Sequence, residues 1–387
     1  MCLPTSTHEA PERVCIVGSG NWGSAIAIPV GRNCRRLSHC ENNVNMWVYE
    51  EEIAMPDGDR RKLTDIINSD HENVKYLPGI QLPTNITAIS DIEEACQGAT
   101  LLIFVLPHQF LPPLLSKIRS VVHPSCRGVS LIKGMDFDMK NMSPVLVSRQ
   151  IEKAMSSPQN PFQCGVLMGA NVASEVAQGQ VCESTLACNF GSVPTKDLNE
   201  ETRLIFDSPT LRVQHVKDVA GAEACGALKN VIALGAGFLD GLDGGSNTKA
   251  ALLRVGLLEM VAFCKDFFED VHDSTFLQSC GMADLITTCY GGRNRKCAEA
   301  FAKERVKDLK SECNGKDCQM LWESLEKDLL NGQKLQGTLT AKEVYTTLSA
   351  RNMLESYPLI QIIYKIAFQG VPVHRIVEGI AVTKNLK

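Results

Sequence analysis

Among the 16 cysteines of this chain no two stand as C-x-x-C, the spacing that redox and zinc sites favour. Pairs such as Cys313/Cys318 and Cys34/Cys40 are wider, and others sit in apolar runs such as "VCIV" and "EACGALKN". Buried reduced thiols, and with them a cytosolic (cytoplasmic) location, are the expectation. Asp-His metal spacing is also missing, so no metal is expected. No tyrosine is followed four residues later by lysine, which excludes Tyr-x-x-x-Lys dehydrogenase chemistry. No apolar stretch approaches the ~20 residues that span a bilayer, so no integral membrane segment is expected. The opening "MCLPTSTHEAPER" lacks an apolar signal core and an arginine-rich amphipathic pattern, so neither an export nor a transit peptide is expected. The tail "VTKNLK" is not a Ser-Lys-Leu signal. Basic charge is not in excess: 39 Lys+Arg against 44 Asp+Glu give a net charge of −5 and a pI near 6.0, which argues against a nucleic-acid partner. There is no internal repeat or low-complexity tract. The 387 residues, 44% hydrophobic and 21% charged, are those of an ordinary globular protein with room for two domains.

Strand-like and helix-like segments alternate in the first half. Strands are predicted at residues 13–17, 44–49, 100–106, 128–133 and 163–168, and helices at 91–97, 109–121 and 144–155. Such alternation implies a doubly wound, mostly parallel sheet, which binds ligands at the carboxyl ends of its strands. Gly18, Glu50, Pro107, His108 and Lys133 fall at those ends. From Val219 onward long helical patterns take over. Thr340 and Glu343 have capping-box spacing, and "YPLIQIIYKIAFQG" carries a proline in its first turn and a glycine at its end. The reading is α/β: an N-terminal Rossmann-type domain at 1–210 and an all-helical C-terminal domain at 211–387, with the site in the cleft between them.

"VCIVGSGNWGSAIA" places Gly18, Gly20 and Gly23 in G-x-G-x-x-G spacing after a strand. Gly18 permits the tight turn, Gly20 lets backbone approach a pyrophosphate, and Gly23 lets the helix pack on the strand. Pro29 should bend or stop the following helix, since an interior proline costs roughly 3 kcal/mol. One of the acidic residues Glu50 to Glu52 can bind the ribose of NAD and repel the 2′-phosphate of NADP; which one serves stays open, as does the alternative of a solvated turn. In "CGALKNVIALGAG" Lys229 is the only ionisable side chain. Desolvation would lower its pKa toward the range a general acid/base needs, unless it reaches the helix surface. Asn230 beside it could bond a substrate oxygen or fill a packing gap. "GMADLITTCYGGRNRK" offers Asp284, Thr287, Thr288, a Gly-Gly turn and Arg293, Asn294 and Arg295; arginine at a helix start opposes the dipole unless an anion is bound. Lys133 in "SLIKG" is a second candidate cation. His108 in "PHQF" reads as structural more than catalytic.

Several stretches together resemble NAD-dependent glycerol-3-phosphate dehydrogenase of the eukaryotic cytosolic type. They include "VCIVGSGNWGSAIA", "KLTDIINSDHENVKYLPG", "FVLPHQF", "SLIKG", "VLMGANVASEVA", "CGALKNVIALGAGF", "NTKAALLR", "SCGMADLITTCYGGRNRK" and "LLNGQKLQG", running from about residue 13 to residue 337. The resemblance implies exchange of dihydroxyacetone phosphate and NADH with sn-glycerol 3-phosphate and NAD+, which links glycolysis to glycerolipid synthesis and cytosolic NADH reoxidation. It also implies a homodimer. By the same resemblance Lys229 is the proton-transfer residue, surrounded by Asn230, Asp284, Thr288 and Lys133. Lys133, Lys229, Arg293 and Asn294 match substrate-binding positions. Gly18, Ser19, Gly20, Asn21, Trp22, Gly23, Tyr49, Phe110, Ala173, Arg293, Lys334 and Gln336 match cofactor-contacting ones. Tyr49 stands where the family usually has phenylalanine. Three departures are Pro29, "MDFDMKNMSP" after Lys133, and "KERVKDLKSECNGKDCQMLW", whose composition suggests an exposed loop. Rival readings are a 3-hydroxyacid dehydrogenase, which leaves the Lys133/Arg293 pair without a purpose, and a dinucleotide sensor without turnover, which would have no need of Lys229 and Asp284.

Overall fold

Eight strands form one sheet: β1 (Val14–Val17), β2 (Val44–Trp47), β3 (Ile86–Ile89), β4 (Leu101–Phe104), β5 (Arg127–Ser130), β6 (Cys164–Met168), β7 (Cys182–Ala187) and β8 (Leu211–Val216). β1 and β4 are buried at every position, which is why they read as unbroken apolar runs and not as alternating ones. The computed structural model describes residues 11–55, 58–138, 140–193, 196–307, 314–330 and 332–381. The strand order is β8-β7-β6-β5-β4-β1-β2-β3. All neighbours are parallel except β6 and β7. The order 3-2-1-4-5-6 is the doubly wound arrangement, and its reversal between β1 and β4 is the switch point where such sheets bind ligands.

Several strands are shorter than their apolar runs suggest. β2 stops at Trp47, β4 at Phe104 and β5 at Ser130, so Glu50 and Lys133 stand on loops just beyond. Helix α1 (Asn21–Arg36) does not stop at Pro29; the proline lies inside it. Its buried face from Gly23 to Gly31 outweighs one lost backbone bond. α2 (Leu63–Asp70) follows β2. The helix expected over 144–155 starts only at Val147, as α3 (Val147–Met155); the residues before it pair instead in a hairpin of Met135–Asp138 with Ser143–Leu146. Met135, Phe137 and Leu146 of that hairpin enter the hydrophobic core of the second half. β8 lies beyond residue 210 and remains in the sheet.

The second half is helical from Val219: α4 (Val219–Gly241), α5 (Ser246–Phe267), α6 (Asp284–Gly291), α7 (Arg293–Lys307), α8 (Gly315–Leu330), α9 (Gln336–Ala350) and α10 (Pro358–Phe368). α4 is long and apolar enough to cross a membrane by composition, but 94% of its most apolar window is buried inside the protein. It contacts α5, α6, α7, α9 and α10. The small residues expected to allow close packing do so: a Cβ at Gly237 would stand 2.3 Å from the Arg295 carbonyl of α7.

Two expectations fail here. Thr340 does not open a helix, because α9 already starts at Gln336 and Thr340 is buried within it. The stretch from 304 to 322 is not an exposed loop where it is described: α7 continues to Lys307 and α8 begins at Gly315. Trp322 stacks on Phe301 with ring centroids 4.2 Å apart and donates from Nε1 to the Ala367 carbonyl. Lysine-rich composition hid a helix whose apolar residues recur at its buried face. Residues 308–313, Cys313 among them, lie outside the described residues. Fourteen cysteines are described without a disulfide between them, and all but Cys182 are buried.

Candidate active site

The glycine turn shows why each glycine stands where it does. Gly18 has φ +121°, and a Cβ there would meet the Val105 carbonyl at 2.5 Å. A Cβ at Gly23 would stand 2.3 Å from the Gly18 carbonyl. Gly20 differs: nothing lies within 4 Å of its Cβ position. It is the N-cap of α1, with no side-chain cap bond and no acidic residue in the first turn. The first amides of α1 therefore open onto free space at the switch point, a cradle suited to a pyrophosphate. Ser19 is buried, and its carbonyl accepts from Asn73 Nδ2 (2.8 Å) and Ser24 Oγ (3.1 Å). Sequence reading missed Asn73, because only the fold brings it to the turn.

Tyr49 and Phe110 are 72% and 56% exposed, large rings left open beyond β2 and β4. The three glutamates after β2 are engaged by the protein. Glu50 accepts from Thr64 Oγ1 (2.6 Å) and Thr64 N (3.3 Å) at the start of α2. Glu51 accepts from Tyr76 Oη (2.7 Å) and pairs with Lys75, and Glu52 pairs with Arg60. The ion pair with Lys75 holds Glu51 below the usual carboxylate range.

Between the two halves lies a cavity of about 830 Å³. At its floor α4 delivers Lys229, and α6 delivers Asp284 and Thr288 four residues apart on one face. Lys229 Nζ donates to Asp284 Oδ1 at 2.5 Å and to Thr288 Oγ1 at 2.8 Å. The other oxygen of Asp284 accepts from Lys133 Nζ at 3.0 Å, and Lys133 also donates to the Gly169 carbonyl at 2.8 Å. One buried carboxylate thus joins two lysines, leaving an excess of positive charge. Lys229 is 5% exposed, and burial first, then the nearby Lys133 charge, lowers its pKa to about 8 against the opposing pull of Asp284. Its ammonium therefore does not reach the helix surface. Asn230 Nδ2 donates to the Gly226 carbonyl, while its Oδ1 accepts from Asn294 Nδ2 at 2.9 Å. Asn294 Oδ1 in turn accepts from the Gly337 amide at 3.0 Å. Arg293 is exposed at the start of α7, and its Nη1 donates to Gln333 Oε1 at 2.8 Å.

Every predicted substrate and proton-transfer position, Lys133, Lys229, Asn230, Asp284, Thr288, Arg293 and Asn294, lines this one cavity. So do Asn21, Ala173, Lys334 and Gln336. Gly18, Ser19, Gly20, Trp22, Gly23, Tyr49 and Phe110 stand outside its lining, along the carboxyl ends of β1, β2 and β4. His108 and Arg295 are also outside it; Arg295 pairs with Asp240 and Glu299 instead. Asp284 follows directly on a π-helical turn, Ser279–Ala283, a feature frequent at functional sites. No sequence signal marked that turn.

A family model described as the NAD-dependent glycerol-3-phosphate dehydrogenase N-terminus matches residues 13–193, and one for the C-terminus of the same enzyme matches residues 218–378. The chain belongs to this family. The cytoplasmic glycerol-3-phosphate dehydrogenases [NAD(+)] of Mus musculus and Homo sapiens are each 47% identical to it over 367 residues, 94% of this chain and 96% of theirs. The solved structure of glycerol-3-phosphate dehydrogenase from Saccharomyces cerevisiae superposes with a TM-score of 0.83 at 39% identity, covering 96% of this chain and 99% of that one. That from Plasmodium falciparum gives 0.83 at 36%, covering 97% of each. The dehydrogenase is therefore an NAD-dependent oxidoreductase with the fold of its family.

Proposed function

We propose that this chain interconverts dihydroxyacetone phosphate and sn-glycerol 3-phosphate with Lys229 as its acid/base. The observation that carries the assignment is the Lys133–Asp284–Lys229 chain at the floor of the cleft. NADH, when bound, supplies the hydride, and the open amides at Gly20 and the exposed rings of Tyr49 and Phe110 fit a dinucleotide laid across the strand ends. In ketone reduction Lys229 Nζ holds the proton that the carbonyl oxygen takes up. In alcohol oxidation the neutral amine accepts the hydroxyl proton. Asp284 and Thr288 fix the direction of Nζ, which is what positions a proton donor for reaction. Lys133 and Arg293 supply cationic groups for the substrate phosphate, and Asn230 and Asn294 present amides beside it. Gly18 to Gly23, Ala173, Lys334 and Gln336 hold the dinucleotide.

We divide the chain between Val216 and Val219, where the sheet ends and α4 begins. A cytosolic location fits the buried thiols and the relatives named cytoplasmic. For the homodimer, Met282, Ile286 and Tyr290 offer an exposed apolar stripe at helical spacing, 39%, 44% and 57% exposed, beside Leu277 at 68%. The test of function is NADH oxidation with and without dihydroxyacetone phosphate. Substrate-dependent oxidation is expected, and faster turnover of an unphosphorylated 3-oxoacid would favour the rival dehydrogenase.

A further inference from the structure

We propose that Glu326, outside the cleft, is a positioning residue for the dinucleotide, fixing segment 332–337 through Lys334 and the Leu335 amide. The inference rests on the assignment of Lys334 and Gln336 to the cofactor. Among the described residues, three side chains of α7 and α8 bond this segment. Arg293 holds Gln333, Asn294 holds the Gly337 amide, and Glu326 takes Lys334 Nζ at 2.8 Å and Leu335 N at 3.0 Å. Arg293 and Asn294 belong to the proposed ligand site, so their bonds to the segment compete with their bonds to a ligand. Glu326 has no such competing duty. Its side chain is 6% exposed, whereas that of Lys334 is 62% exposed. The carboxylate is thus a fixed post, and the lysine above it is open to the cleft it lines.

Glu326 also finishes a helix start. Leu335 is the N-cap of α9 and makes no side-chain cap bond of its own; the Glu326 carboxylate takes its amide from a different helix. One side chain therefore sets both where α9 begins and where Lys334 points. Gln336, the first residue of α9, is placed by the same contact. Glu326 lies four residues after Trp322, on the buried side of α8, and this spacing is the signal a sequence reading could have used.

The test uses the full chain and four forms: wild type, Glu326→Gln, Lys334→Ala and the double variant. Glutamine keeps an acceptor for Leu335 N–H and loses the charge that holds Lys334. NADH affinity is read by protein fluorescence, with kcat at saturating NADH and Tm alongside. Glu326→Gln is expected to weaken NADH on the order of 10-fold, the worth of one charge-assisted hydrogen bond. The kcat should stay within about 2-fold, since proton transfer is untouched. Lys334→Ala should weaken NADH as well, and the double variant should bind no more weakly than Lys334→Ala alone. An unchanged affinity in Glu326→Gln, additive losses in the double variant, or a loss seen only in Tm would overturn the proposal. If Lys334→Ala binds NADH normally, it is the assignment of Lys334 to the dinucleotide that fails, and the route through it with it.

Discussion

Lys229 reaches the cleft as a buried cation whose pKa, near 8, lies below that of a free lysine because water is excluded around it. The pH dependence follows from that value. Below about 8 the ammonium form dominates and can give its proton, so ketone reduction should hold a plateau and fall as pH rises through that value. Alcohol oxidation needs the neutral amine and should rise over the same interval. Initial rates in both directions from pH 6 to 10 check this; parallel profiles would contradict it. Arg293 makes a different kind of contribution. It stands at a helix start, where the dipole disfavours a cation, and the only hydrogen bond of its side chain among the described residues is to neutral Gln333. Arg293→Ala should therefore weaken a phosphorylated substrate by on the order of 2–5 kcal/mol, far more than its unphosphorylated analogue. Comparing kcat/KM for dihydroxyacetone phosphate and dihydroxyacetone measures the difference, and an equal loss on both would make the arginine structural.

At the scale of elements, the seam between sheet and helices is held by Glu223 of α4, fully buried, which accepts from Ser148 N at 3.1 Å and Ser148 Oγ at 2.5 Å at the start of α3. Burial pushes its carboxyl up to about 7 against those bonds. The folded state then holds a proton that the unfolded chain has released, so this group's contribution to stability declines as pH rises from about 4.5 toward 7. Glu223→Gln can keep both contacts, because the serine hydroxyl can turn to accept from the amide. Its Tm should match wild type near pH 4.5 and exceed it at pH 8; a variant less stable at both values would contradict the account. The loop after β2 bears on cofactor choice. Its glutamates are held in place by Thr64, Tyr76, Lys75 and Arg60, so the acidic end of the strand is fixed before any ligand arrives. A strong preference for NADH over NADPH in kcat/KM is expected, and equal values would exclude these residues from the selection. Legibility differed by element. The apolar runs of β1, β4 and β6 announced themselves, and so did α10 with its proline and glycine. β8 went unread because its exposed arginine and glutamine alternate with buried residues on a sheet edge. The start of α8 reads as a loop because the charge-rich run from Lys303 to Asp317 leads into it, and only the fold shows Cys318 and Trp322 turned to the core.

Over the whole molecule, the order of a parallel sheet followed by helices was legible in the sequence, and so was the set of polar residues that the fold gathers at the cleft. Lys229, Asp284, Thr288 and Lys133 come from residues up to 151 apart in sequence, and each was visible as a polar residue in apolar or glycine-rich surroundings. What no local pattern could show is that one carboxylate joins both lysines, since that contact exists only when α4, α6 and the loop after β5 meet. The same holds for Asn73, Glu223 and Glu326, whose partners are set by tertiary packing. The apolar stripe of Met282, Ile286 and Tyr290 lies on the outer side of the helix that carries Asp284, which places the proposed dimer contact next to the chemistry. Ile286→Glu should shift sedimentation from dimer to monomer, and an unchanged dimer would put the interface elsewhere. The central claim is that Lys229 transfers the proton, and the most direct measurement is kcat of Lys229→Ala with dihydroxyacetone phosphate, alongside its NADH affinity. The account predicts retained fold and NADH binding, a loss in kcat of about 10²–10⁴-fold, and disappearance of the ionisation near 8; near-normal kcat in Lys229→Ala, with His108→Ala inactive, would contradict it.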